Sequence, residues 1–319
     1  MTADTFKIVF MGTPDFAVHI LDGLFTEEFS IVGVVTAPDK PAGRGQQIQQ
    51  SAVKKYAVEN DLHILQPTNL KSPEFIEELE ALQADLFVVV AFRMLPEVVW
   101  SMPPKGTINL HASLLPNYRG AAPINRAIMN GEKETGVTTF FIEKEIDTGK
   151  VIEREAIPIG ENETAGELHD RLMELGRKLT INTVHKIKNG HAEAIDQLSI
   201  QEGDLKNAPK IFRDDCRINW HSSVEEVHNF IRGLSPYPAA HTVLTNEKGE
   251  TKSFKLFKGI RTSTRVDLHT SLKNDPNGIL FPCSDYYYCV TELQPEGKRK
   301  MNFKEFLAGN RAEDWCLEA

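Results

Sequence analysis

Short apolar runs alternate with segments of helical period through the first half of the chain, and this alternation leaves few folds open. Residues 7–11 (KIVFM) and 31–36 (IVGVVT) are two such runs, and residues 86–91 (LFVVVA) read as a fully buried strand. After the first run, Gly12-Thr13-Pro14 turns the chain into a helix, with Thr13 as the expected N-cap and Pro14 at N1. Phe16, Ala17, Ile20, Leu21 and Leu24 then recur at helical spacing. Residues 51–60 and 73–82 are expected as helices, and 107–110 and 137–142 as further strands. Strands alternating with helices predict an α/β fold with a doubly wound, mostly parallel sheet. Ligands on such sheets sit beyond the carboxyl ends of the strands. Gly12, Phe92, His111 and the 143–149 loop would gather there.

The pattern changes further on. Residues 164–188 form one long helical stripe through Leu168, Leu172, Leu175, Leu179 and Val184, closed by Asn189-Gly190. Periodicity lapses in the polar, proline-containing stretch 197–217, expected to link two domains of residues 1–196 and 218–319. After a short helix at 224–231 come brief apolar or alternating runs at 240–244, 253–257, 278–281 and 286–291, punctuated by turn residues. A small β-barrel fits these. At 319 residues the chain is long enough for each domain to bury a core of its own.

The richest chemistry lies in residues 107–125, TINLHASLLPNYRGAAPIN, followed by EIDTG at 145–149. Asn109 and His111 stand two apart at a strand end, so their side chains point to one side. An amide that donates to a developing oxyanion, an imidazole that handles a proton and a carboxylate, Asp147, that orients the imidazole would suit acyl transfer to an amine. A hydrogen-bonded pair fixing a strand end, and an Asp that merely opens a turn, explain the same residues. The glycine- and proline-rich 113–123 segment, built to shape a pocket, favours the first reading. Residues 38–50 (PDKPAGRGQQIQQ) are either a flexible connection or a mobile loop presenting Arg44 to a phosphate or base edge.

Other chemistries find no support. Gly12-Thr13-Pro14 has one glycine where a dinucleotide fingerprint needs three, and neither a P-loop nor GxSxG occurs. His221 and His228, seven apart, fit a helix face better than a zinc motif, and no metal is expected. No apolar run approaches the ~20 residues needed to cross a membrane, and a cytoplasmic location is expected. Cys216, Cys283, Cys289 and Cys316 lack CxxC spacing and read as reduced thiols, although one disulfide is compatible with the sequence. The net charge of −9 is unevenly spread. Residues 207–319 hold 16 basic against 15 acidic side chains, the remainder 20 against 30. The clustered bases Lys252, Lys255, Lys258, Arg261, Arg265 and Lys298, Arg299, Lys300 either meet phosphates or line a solvated strand face.

VFMGTPDFA, PAGRG, VVVA, NLHASLLPNYRGAAPI, IDTG, APKI and INW together resemble the folate-dependent formyltransferases, and among them the methionyl-tRNA formyltransferases, over nearly the whole chain. The resemblance implies a Rossmann-like domain that binds 10-formyltetrahydrofolate, an OB-like barrel that grips tRNA, and formylation of initiator methionyl-tRNA by a monomer. It implies Asn109, His111 and Asp147 as catalytic residues, and Ser113, Leu114, Leu115 and Pro116 as lining the formyl-folate site. Arg44 and Lys210 would contact tRNA. A formyltransferase acting on a small amine such as an amino-sugar nucleotide, or a non-catalytic RNA-binding protein, are the competing readings. One departure stands out: relatives usually show VVVAYG where this chain has Phe92-Arg93 after VVVA, beside the expected pterin pocket.

Overall fold

The computed structural model describes residues 6–42, 47–201, 203–267 and 271–317. It divides into two compact units. Described residues up to Gly120, with 136–157 and 171–207, form the first; 121–135, 158–170 and the chain from Ala208 onward form the second. In chain order the first elements are β1 (Lys7–Gly12), α1 (Asp15–Thr26), β2 (Ser30–Val35), β3 (Lys40–Ala42), β4 (Gln47–Gln49), α2 (Ala52–Glu59) and β5 (Ile64–Leu65). Then come α3 (Pro73–Ala81), β6 (Leu86–Val90), α4 (Glu97–Trp100), β7 (Thr107–His111), α5 (Pro123–Met129), β8 (Glu134–Phe141), β9 (Val151–Pro158) and α6 (Ala165–Lys188).

The main sheet of the first unit has the order β5-β2-β1-β6-β7-β8-β9. The strands from β5 to β7 pair in parallel, and β8 runs antiparallel to β7. Strand order reverses between β1 and β6, the switch point at which such sheets open a crevice. Val9, Met11, Phe87 and Val89 pack on one face with Val35, Phe75, Leu79 and Val99. Ile8, Phe10, Leu86, Val88 and Val90, the alternate residues, are equally inaccessible. Burial on both faces explains the unbroken apolar runs.

Helix starts obey local chemistry. Ser51 and Ser72 accept from the third backbone N–H of α2 and α3. Thr164 and Glu167 cap α6 reciprocally, Glu167 Oε2 accepting from the Thr164 N–H at 2.8 Å and Thr164 Oγ1 from the Glu167 N–H at 3.3 Å. The expectation for α1 is corrected: Pro14, not Thr13, is the N-cap, and no side chain caps that end. The Pro14 carbonyl instead accepts from the Ala17 and Val18 N–H groups.

The second unit adds α7 (Val224–Leu234), β10 (Ala240–Asn246), β11 (Thr251–Arg265), β12 (Lys273–Asp275), β13 (Gly278–Pro282), β14 (Tyr286–Pro295), β15 (Met301–Asn302), α8 (Phe303–Leu307) and β16 (Trp315–Leu317). The sheet order is β12-β13-β14-β11-β10-β16, with β15 beside β14. Neighbouring strands in it run antiparallel. The sheet curls into a partly open barrel whose ends meet at the Ser271–Cys316 bridge. Register shifts along β11 supply part of the bend. Ile231, Leu234, Leu244, Phe254, Leu256, Phe281, Val290 and Trp315 fill its core.

His221 and His228 do not share a helix face: His221 precedes α7 and is exposed, whereas His228 is buried within it. His228 Nε2 donates to the Glu161 carbonyl at 3.0 Å, and Nδ1 faces the Tyr288 hydroxyl at 3.4 Å. Burial holds its pKa below the ordinary histidine value; Arg261 and Arg232 push the same way, against the Glu161 carbonyl and Glu225. The unfolded chain therefore takes up a proton near pH ~6.5 that the folded chain resists. Stability is lost as pH falls through that value and levels off below the folded pKa. Thermal unfolding from about pH 7.5 to about 5.5 should show a shallower loss of Tm in His228→Gln than in the parent; parallel curves would contradict this account.

Candidate active site

β7 delivers Asn109 and His111 to the same side, two residues apart on a strand held between β6 and β8. Asn109 pairs in register with Val89 and Phe140, and His111 with Thr138. His111 is 7% exposed, and its Nε2 lies 2.8 Å from the Tyr118 carbonyl oxygen. A carbonyl only accepts, so Nε2 carries the hydrogen in this arrangement. Nδ1 then points toward Asp147, 3.8 Å from Oδ2. That separation is too long for a hydrogen bond. Nδ1 is thus the nitrogen left to exchange a proton.

The loop after β7 is fixed mainly by side chains of β8 and β9. Thr138 Oγ1 donates to the Ser113 carbonyl at 2.6 Å and accepts from the Leu115 N–H at 3.1 Å. Ser113 Oγ donates to the Asn117 carbonyl at 2.6 Å. Leu115 packs with Phe140 and Val151, and Arg154 donates to its carbonyl at 2.9 Å. Ser113, Leu115 and Pro116 are buried; Leu114 is half-buried.

Asp147 sits in the left-handed region at φ 56°, unusual for a residue with a side chain. Its Oδ2 accepts from the Gly120 N–H at 2.9 Å, which joins the loop after β7 to the loop after β8. Gln197, 2% exposed, donates through Nε2 to the carbonyls of Asp147 and Gly149, each at 2.8 Å. Its Oε1 accepts from Arg119 Nε at 3.1 Å and Nη2 at 2.7 Å. Among the described residues no three His, Cys, Asp or Glu side chains come together to hold a metal ion. No described helix is long and apolar enough to cross a membrane.

Two family models match in tandem: formyl transferase over residues 6–184 and the formyl transferase C-terminal domain over 210–311. A methionyl-tRNA formyltransferase of Azobacteroides pseudotrichonymphae is 51% identical over 320 aligned positions, covering 97% of this chain and 98% of that protein. One from Bacteroides thetaiotaomicron is 49% identical, covering 98% of each. The chain belongs to the methionyl-tRNA formyltransferase family. Solved structures share its fold at lower identity. A sugar 3N-formyl transferase, WlaRD, crystallised in the presence of dTDP and 5-N-formyl-THF, superposes with a TM-score of 0.66 at 21% identity, covering 93% of this chain and all of that one. HypX from Aquifex aeolicus in complex with tetrahydrofolic acid gives 0.63 at 17% identity, covering 94% of this chain and 46% of that one.

Family membership sharpens what the remaining residues show. Asn109, His111, residues 113–116 and Asp147 lie in the first unit, whereas Lys210 belongs to the second. Lys210 is exposed, its ammonium 5.4 Å from the ring centre of Phe212. Arg44 lies outside the described residues. The strands flanking it, β3 and β4, pair as a hairpin, where the sequence reads only as a polar loop. The root of that hairpin is tied down, since Asp39 accepts from Lys54 at 2.6 Å and Gln66 at 2.9 Å. Those bonds lower the Asp39 pKa, the Gln66 bond most. Arg93 is exposed and folds back, donating to the carbonyls of Thr68 and Pro67.

Gln197 escapes sequence reasoning because it falls in the stretch that reads as a linker; the DQ pair after an isolated Ile195 is too slight a signal. Gly149 is equally constrained, since a Cβ there would lie 1.7 Å from the Phe141 carbonyl oxygen. Gly149→Ala should therefore displace the Asp147 loop and lower Tm, at roughly 2–4 °C per kcal/mol lost. An unchanged melting curve with full activity would show that the loop yields at no cost.

Proposed function

We propose that this chain transfers the formyl group of 10-formyltetrahydrofolate to the α-amino group of initiator methionyl-tRNA, giving formylmethionyl-tRNA for translation initiation. The observation that carries this reading is the His111–Asp147 pair, 3.8 Å apart on the side of β7 that also bears Asn109. It stands in a chain sharing about half its residues, end to end, with proteins named methionyl-tRNA formyltransferase.

In this scheme the free amine attacks the formyl carbon, a new C–N bond forms, and negative charge develops on the formyl oxygen. Asn109 donates to that oxygen, and His111 lends positive charge beside it. The bond to the folate nitrogen then breaks, and the proton lost by the amine reaches that nitrogen by way of His111 Nδ1, with Asp147 stabilising the charged ring. Ser113, Leu114, Leu115 and Pro116 shape the donor site through their backbone. Residues 1–196 carry the chemistry, 197–217 connect, and 218–319 hold tRNA. Arg44 and Lys210 meet the tRNA. The enzyme works in the cytoplasm as a monomer.

Formyl transfer from 10-formyltetrahydrofolate to initiator methionyl-tRNA, with elongator methionyl-tRNA and an amino-sugar nucleotide in parallel, tests the substrate. Formylation confined to the initiator is the expected result; folate turnover with the sugar alone would overturn it. Asn109→Ala, His111→Ala and Asp147→Ala should each lower kcat by about 10²–10⁴-fold with KM little changed. Near-normal turnover in one of them removes that residue from the scheme. Arg44→Ala should impair turnover of charged tRNA while leaving folate binding intact.

A further inference from the structure

Residues 195–201 and 203–207 form a strap that touches both loops of the site. Ile195 and Val151 exchange backbone hydrogen bonds at 2.8 Å, which fixes the strap beside the start of β9. Asp196 caps the next turn, its Oδ1 accepting from the Leu198 N–H at 2.9 Å. Further on, the Lys206 carbonyl accepts from the Tyr118 N–H at 2.5 Å, and Asn207 bridges Arg119. Between these points Gln197 uses both amide protons and its oxygen at once. It grips the Asp147 loop by two carbonyls and the loop of Tyr118 and Gly120 through the Arg119 guanidinium. Those two loops hold the groups that face the ring nitrogens of His111, the Tyr118 carbonyl and the Asp147 carboxylate.

We propose that Gln197 is a positioning residue for the transfer reaction, holding Asp147 and the Tyr118 carbonyl in register about His111. The inference rests on the reading of His111 and Asp147 as catalytic. The side chain has little latitude. A glutamate of equal size would set carboxylate oxygens against two carbonyl oxygens and abolish both donations. A methionine would fill the volume and make none of the four bonds. Loss of the clamp would leave Asp147 tethered on the far side only by the Gly120 N–H, in a backbone conformation that side chains disfavour. Displacements of about 1 Å at a reacting centre cost on the order of 10²-fold in rate.

The test is a double-mutant cycle read by kcat and KM, with calorimetric binding of tetrahydrofolate and Tm as controls. Gln197→Glu and Gln197→Met should each lower kcat at least about tenfold, with KM for donor and tRNA within about twofold. Arg119→Lys, which leaves the two carbonyl contacts in place, should fall between parent and Gln197→Met. In the Asp147→Ala background, removing Gln197 should cost markedly less than in the parent, because only the Tyr118 arm of the clamp is then left to lose. Unchanged kcat in the Gln197 variants, or an equal loss with and without Asp147, overturns the inference. Should Gln197→Met fail to fold, the same cycle with Arg119→Lys decides between these outcomes. Undiminished turnover in Asp147→Ala would instead sink the catalytic reading, whatever Gln197 does.

Discussion

Burial of β1 and β6 on both faces is the constraint on which the rest of the first unit depends. With Ile8, Val9, Phe10, Met11 and residues 86–90 sealed from water, their backbone polar groups must be met by neighbouring strands. No polar side chain can be accommodated along these strands without a partner. Chemistry is therefore displaced to the strand ends, and the reversal of strand order between β1 and β6 makes the carboxyl end the open one. β7, one strand further out from β6, carries Asn109 and His111.

Several polar groups of the loop after β7 are committed to bonds with its own backbone and with β8. Thr138 serves two backbone groups, Ser113 a third, and the Tyr118 carbonyl holds His111 by Nε2. The consequence is chemical rather than merely structural. Committing Nε2 to a carbonyl fixes the tautomer and leaves Nδ1 facing the carboxylate, where the proposed reaction would exchange a proton.

The parallel core and the long helix are legible in the sequence, because apolar period reports burial directly. Asn109 and His111 are legible as a pair because strand alternation alone puts them on one side. The edge strand β5 is not, since two residues are too short to show a period. Nor is the β3–β4 hairpin, whose strands of three residues each are too short to show a period. The role of Gln197 is hidden for a deeper reason. A side chain that bonds main-chain carbonyls about fifty positions away leaves no periodicity, no motif and no charge pattern of its own. The stretch around it reads as a connection because it lacks regular structure, yet its backbone and side-chain bonds fasten it to the first unit.

The energetics of the Asp147 loop explain why so many bonds converge there. A non-glycine residue in the left-handed region costs about 1–2 kcal/mol. Each hydrogen bond to the loop contributes about 0.5–1.5 kcal/mol net, and somewhat more where the carboxylate accepts. The Gly120 N–H and the two Gln197 donations together exceed the torsional cost. A single one of them would barely offset it. The strained torsion at Asp147 is thus maintained by the fold before any substrate arrives. In the proposed reaction, a carboxylate held in advance would not have to reorganise as charge develops on the imidazole, the condition under which a fixed charge accelerates a reaction most.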